Sequence, residues 1–231
     1  MGQLVSASHA ITRFVLRTTD VPAARSFYAA LLGHDRFSVV PLHEQALARG
    51  ARPHWLGQIE VDDVESSVRA FVEHGAQALN PIAAFPDGRR FAVLRDPGGA
   101  IVGLTSPGPL DESPAIVWHQ LSTNDRARVE KAYTTVFGWR LTDIVMHPEH
   151  GEFQNFAWPG KEGDAGAIVD IAGRPERHAG WLFYLRVSDF NRSVATVREA
   201  GGLVLGPFPL PGGERVAVCD DPQGAAFALR G

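Results

Sequence analysis

The chain is poor in cysteine: Cys219 is the only one in 231 residues, so no disulfide can close within it. That suits a reducing compartment, and the setting RVAVCDD reads as a small packed side chain rather than a reactive thiol. Long apolar runs are missing too. No stretch approaches the roughly 18 residues a membrane helix needs, and the start MGQLVSASHA has no basic segment leading into an apolar one. Nor is there a basic surplus, since 22 Lys and Arg face 26 Asp and Glu for a formal net charge of −4. The basic residues are scattered, which excludes the positive face that neutralises nucleic-acid phosphates. There is no low-complexity tract and no long run of like charge. With 45% hydrophobic residues the chain reads as a compact cytoplasmic protein without nucleic-acid or membrane partners. The start also fits the loose N-myristoylation pattern through Gly2 and Ser6, which matters only in a eukaryotic cell.

What the chain has is repetition. RDPGGAIVGL, ending at Leu104, returns as DDPQGAAFAL, ending at Leu229. The segment from Trp55, WLGQIEVDDVESSVRAFVEHGAQALNP, aligns without a gap on WLFYLRVSDFNRSVATVREAGGLVLGP from Trp181. A weaker echo relates FVLRTTDVPAARSFYAALLG, from Phe14, to HQLSTNDRARVEKAYTTVFG, from His119. The chain is therefore an internal repeat of four modules, A, B, A′ and B′. Each opens on about eight strand-like residues, then an Asp suited to cap a helix, then a helical stretch ending near Gly33, Gly75, Gly138 or Gly201. Extended segments broken by Pro and Gly follow, the last two joined by an Asp-Pro-x-Gly turn. The stretch TSPGPLDESPA is the expected linker, giving domains at 10–107 and 114–231. The first module is shortened after its helix, where HDRFSVVPLHEQALARGARP has room for two strands.

These phrases, chiefly VLRTTDVPAARSFYAALLG, IEVDDVESSV, RVSDFNRSV and the two Asp-Pro-x-Gly endings, resemble the vicinal oxygen chelate superfamily of glyoxalases, bleomycin-resistance proteins and extradiol dioxygenases. The resemblance implies an α+β fold in which tandem βαβββ modules pair into two curled mixed sheets, helices outside, each enclosing a cavity. The shortened first module makes the N-terminal cavity the reduced one.

Strand alternation assigns two faces. Trp181, Phe183, Leu185 and Val187 form an apolar face for the helix; Trp118, Gln120, Ser122, Tyr184 and Arg186 lie on the other, as do Arg13, Arg17, Gln58 and Glu60 in the first half. An antiparallel sheet with one solvated face would look the same. The resemblance implies instead that this mixed face lines the cavity, which makes these nine residues the expected ligand-binding set. It also implies where metal ligands would sit: seven residues before the Asp of each first strand and seven after the Asp of the last turn. Those positions hold Arg13, Leu56, Trp118 and Leu182, then Gly103 and Ala228. None is a credible ligand, so no metal and no cofactor are expected, and the vacated volume serves either an organic ligand or packing. His147 and His150 with Glu149 and Glu152 form a cluster of ligand types in a Pro- and Gly-containing turn, and read as a solvated loop. No nucleophile elbow and no phosphate-binding Gly loop is present; PGGERVAV reads as a hairpin turn.

The expectation is a small-molecule binder taking an anionic organic ligand without a metal, with a homodimer possible. The rivals are a divalent-metal lyase, isomerase or dioxygenase, a protein sequestering an antibiotic or toxin, and a structural protein with collapsed cavities.

Overall fold

The computed structural model describes residues 7–34, 37–108, 115–147, 151–174 and 177–231. The expected α+β class holds, with two mixed sheets and no closed barrel among the described residues. The first module supplies β1 (Ile11–Thr18), α1 (Val21–Leu32), β2 (Ser38–Pro41) and α2 (Glu44–Ala48). The second supplies β3 (His54–Glu60), α3 (Val64–Glu73), β4 (Gln77–Ala78), β5 (Ala83–Ala84), β6 (Arg90–Arg95) and β7 (Ile101–Thr105). The third runs β8 (Ile116–Thr123), α4 (Arg126–Phe137), β9 (Arg140–His147), β10 (Gly151–Ala157) and β11 (Gly166–Asp170). The fourth runs β12 (Gly180–Arg186), α5 (Phe190–Glu199), β13 (Leu203–Pro209), β14 (Arg215–Asp220) and β15 (Ala226–Arg230). One sheet is ordered β2-β1-β3-β7-β6-β4 with β5 also on β6; the other is ordered β13-β14-β15-β12-β8-β11-β10-β9.

The four long helices start for one reason. Asp20, Asp63, Asp125 and Asp189 each sit outside the helical region and accept a hydrogen bond from the backbone N–H three residues on, meeting a donor the helix leaves over. Two of them end on a left-handed glycine, Gly33 at φ 77° and Gly138 at φ 70°, a conformation costly for any other residue.

One expectation is corrected. The segment after α1 holds one strand and a short helix rather than two strands. Glu-Gln-Ala-Leu-Ala is built of good helix formers, and His43 caps it by accepting from the Gln45 N–H.

Two compact units divide the chain. One comprises Met1–Arg13, Gly57–Leu110 and His119–Trp181; the other Phe14–Leu56, Asp111–Trp118 and Leu182–Gly231. Each thus takes most of one module from either half of the repeat. In the first unit Phe71 stacks edge-on with Tyr133 and Phe137 at 5.3 and 5.0 Å, and Tyr133 stacks on Trp139 at 4.5 Å. In the second unit Tyr28 meets Phe37, Trp55 and Phe227 at 5.4, 5.2 and 5.6 Å. All these rings are buried.

The Asp-Pro-x-Gly turns now have a physical role. In the first unit Asp96 Oδ1 accepts the Gly98 and Ala100 N–H groups, closing the turn, while Oδ2 accepts the Tyr133 hydroxyl at 3.1 Å. In the second, Asp221 Oδ1 accepts the Gln223 and Ala225 N–H groups and Oδ2 accepts the Tyr28 hydroxyl at 3.2 Å, which itself takes the Trp55 indole N–H at 2.9 Å. Both carboxylates are almost fully buried. Every lone pair so used offsets the desolvation of a buried charge.

Candidate functional site

Burial follows the strand alternation on β8 and on β12 from Phe183 onward, but not on β3, where residues 55–59 are buried on both faces. On β8, His119, Leu121 and Thr123 are buried while Trp118, Gln120 and Ser122 are half-buried; on β12, Phe183 and Leu185 are buried while Tyr184 is half-buried and Arg186 exposed. His119 on the inner face lies against Ala165 O at 2.8 Å and edge-on to Trp158, and burial lowers its imidazole to about 4. It is a neutral interior group.

The second unit holds Trp118, Arg17, Tyr184 and Arg186. Tyr184 stands in register with Ala228 on β15, and Arg186 with Arg230. Glu214 bridges the two arginines, Oε1 to Arg186 at 2.5 Å and Oε2 to Arg230 at 2.6 Å. These guanidiniums hold the Glu214 carboxyl below its ordinary range. The cluster carries two fixed positive charges against one negative. Burial pushes the Tyr184 phenol up to about 12, so it stays a hydrogen-bond donor at neutral pH. Arg17 sits half-buried in register with Val40, and burial lowers its guanidinium.

The first unit holds Gln120, Ser122, Arg13, Gln58 and Glu60. Gln120 and Ser122 face Ala167 and Val169 on β11, and Asn155 and Phe153 on β10 continue those two rows. Asn155 Nδ2 donates to Asp164 at 2.8 Å, and the Thr142 hydroxyl donates to the same carboxylate at 2.6 Å. This polar group, two strands from Gln120 on the same row, was not legible in the sequence: a bulge between Gln154 and Phe156 changes which residues of β9 share the face. Arg13 and Gln58 are buried. Arg13 Nη2 donates to Gly108 O at 2.7 Å, and Glu60 Oε1 accepts the Ser8 N–H at 3.4 Å.

The positions where the resemblance implies metal ligands do not suit a metal. A Cβ on Gly103 would lie 2.7 Å from Gln58 Cγ, its register partner on β3, so Gln58 fills the space a carboxylate would need. Ala228 is fully buried beside Tyr184, the residue equivalent to Gln58 in the other half, and Leu56 is buried as well. In each half a large polar residue on the first strand stands in register with a small one on the last. Among the described residues no group of three or more His, Cys, Asp or Glu converges. His150 and Glu149 lie outside the described residues; His147 packs on the Phe153 ring, and Glu152 pairs with Arg126. Cys219 is buried and its thiol pushed up to about 12, which makes it inert.

Comparison with known proteins fits this architecture. The chain is 31% identical to the protein named "Putative glyoxylase CFP32" of Mycobacterium tuberculosis (strain CDC 1551 / Oshkosh), over 93% of this chain and 91% of that one. It is 32% identical to the "Anthracycline biosynthesis protein DnrV" of Streptomyces peucetius over half of this chain and 46% of that protein. Two solved structures share the fold: the 2,3-dioxygenase LapB from Pseudomonas sp. KL28 (TM-score 0.65, 12% identity, 97% of this chain, 92% of that one) and the Mn(II)-bound glyoxalase from Novosphingobium aromaticivorans (TM-score 0.65, 13% identity, 98% and 83%). Residues 115–229 match the model of the glyoxalase/bleomycin resistance protein/dioxygenase superfamily. With a relative this similar along nearly the whole length, the chain belongs to that superfamily.

Proposed function

We propose that the protein binds a small organic molecule carrying a carboxylate, phenolate or enolate oxygen, and does so without a bound metal. One observation carries this reading: Gly103 and Ala228 stand where the resemblance implies carboxylate ligands, Gln58 packs against Gly103, and Tyr184 is in register with Ala228. The site lies in the second unit, where Tyr184 offers a neutral phenol donor and Arg186 and Arg230 a surplus positive charge beside it. Trp118, half-buried on β8, supplies an aromatic wall of the same unit. In the first unit Gln120 and Ser122 present amide and hydroxyl groups on the corresponding face of β8. Similarity to an anthracycline biosynthesis protein supports an oxygenated aromatic ligand. The same donors would stabilise a negative charge developing on a bound oxygen, so proton transfer in the ligand is compatible with binding.

The test is a thermal-shift panel of aromatic and aliphatic acids against divalent cations, since a ligand of the native state raises the melting temperature by mass action. Acids are expected to stabilise, Arg186→Ala to abolish the effect, and cations to leave the midpoint unchanged. Stoichiometric Mn, Fe, Ni or Zn in protein purified without a His tag would overturn the metal-free reading. Acid binding unchanged in Arg186→Ala would remove that residue from the site.

A further inference from the structure

β9 ends the eight-stranded sheet, and among the described residues no strand pairs with its outer side. An edge strand presents alternate N–H and C=O groups as a template for another strand, and monomeric proteins blunt such edges with proline, bulges or charge. β13, the strand at the other end of the sheet order, is blunted in this way: it carries Pro207 and Pro209 and a register shift between Leu205 and Phe208. β9 has no proline, runs eight residues, and exposes Leu141, Ile144, Val145 and Met146 by 39, 53, 49 and 67%. Four large apolar side chains on one strand form an adhesive edge rather than a protected one.

From this we infer that β9 pairs antiparallel with β9 of a second copy, about a two-fold axis through Val145. The sequence chooses the register. With Val145 on the axis, Ile144 faces Met146 of the second copy and Asp143 faces His147, a carboxylate opposite an imidazole N–H donor, and the symmetry makes each contact twice. Moving the axis to Asp143 would set two carboxylates against each other, and moving it to Ile144 would set Asp143 against Val145. Of these three registers, the one on Val145 alone joins apolar to apolar and donor to acceptor.

Sedimentation of the full chain across a concentration series should show a monomer–dimer equilibrium. Across an antiparallel pair the Cα atoms lie about 4.5–5.5 Å apart, inside the span a disulfide bridges. Val145→Cys should therefore cross-link to a covalent dimer under mild oxidation, whereas Ile144→Cys, which faces Met146, should not; Cys219 is buried and does not compete. Asp143→Lys and His147→Asp should each weaken the dimer at least about tenfold, and the double variant should restore it. A monomer at every concentration, species larger than a dimer, equal cross-linking at 144 and 145, or no rescue in the double variant would each overturn the inference.

Discussion

Tyr133 and Asp96 show how much one hydroxyl can decide. The hydroxyl is the side-chain partner of a buried carboxylate oxygen, so Tyr133→Phe should cost about 1–3 kcal/mol in denaturant unfolding, with Tyr28→Phe similar at Asp221. Burial raises the Asp96 carboxyl from 3.8 to about 6, against the pull of the hydrogen bonds it accepts. A carboxyl raised on folding binds its proton more tightly in the native state, so its contribution is complete below the unfolded value and fades as pH rises through about 6. A rise from 3.8 to about 6 corresponds to about 3 kcal/mol. Unfolding midpoints should fall between about pH 4 and about pH 7, and Asp96→Asn should flatten much of that fall. Asp221 is raised in the same direction and would leave a residual slope. Cys219 gives a check of another kind: thiol reagents should label it only as fast as the protein unfolds.

Between elements, Gln58 on β3 packs tightly over Gly103 on β7. Gly103→Ala would drive a methyl group to 2.7 Å from Gln58 Cγ, and is expected to destabilise by about 1–3 kcal/mol, recovered largely by Gln58→Ala; a double-mutant cycle in urea measures the coupling. Such pairs are hard to read from a sequence. The four capping aspartates were legible because a cap acts within three residues of itself, and the helix-ending glycines for the same reason. The small residues at 103 and 228 were visible as departures from a family pattern, yet what stands beside them depends on a neighbouring strand some 45 residues away. The Thr142, Asn155 and Asp164 group was hidden by a bulge, and the short α2 by the absence of enough residues to show a period.

For the molecule as a whole, the duplicated text announced the architecture: strand, aspartate, helix and glycine recur four times and the structure repeats them. The sequence did not reveal with which half each module packs. Tyr28 belongs to the first half and its Asp221 to the second; Tyr133 belongs to the second and its Asp96 to the first. Each compact unit is assembled from both halves, and that interleaving has a practical result. A gene cut between Leu110 and Asp111 should yield two fragments that are molten when made singly, with low near-ultraviolet ellipticity, and that complement each other into one native particle when co-expressed. The protein would then serve as a split reporter whose two pieces have each kept half of the other's core.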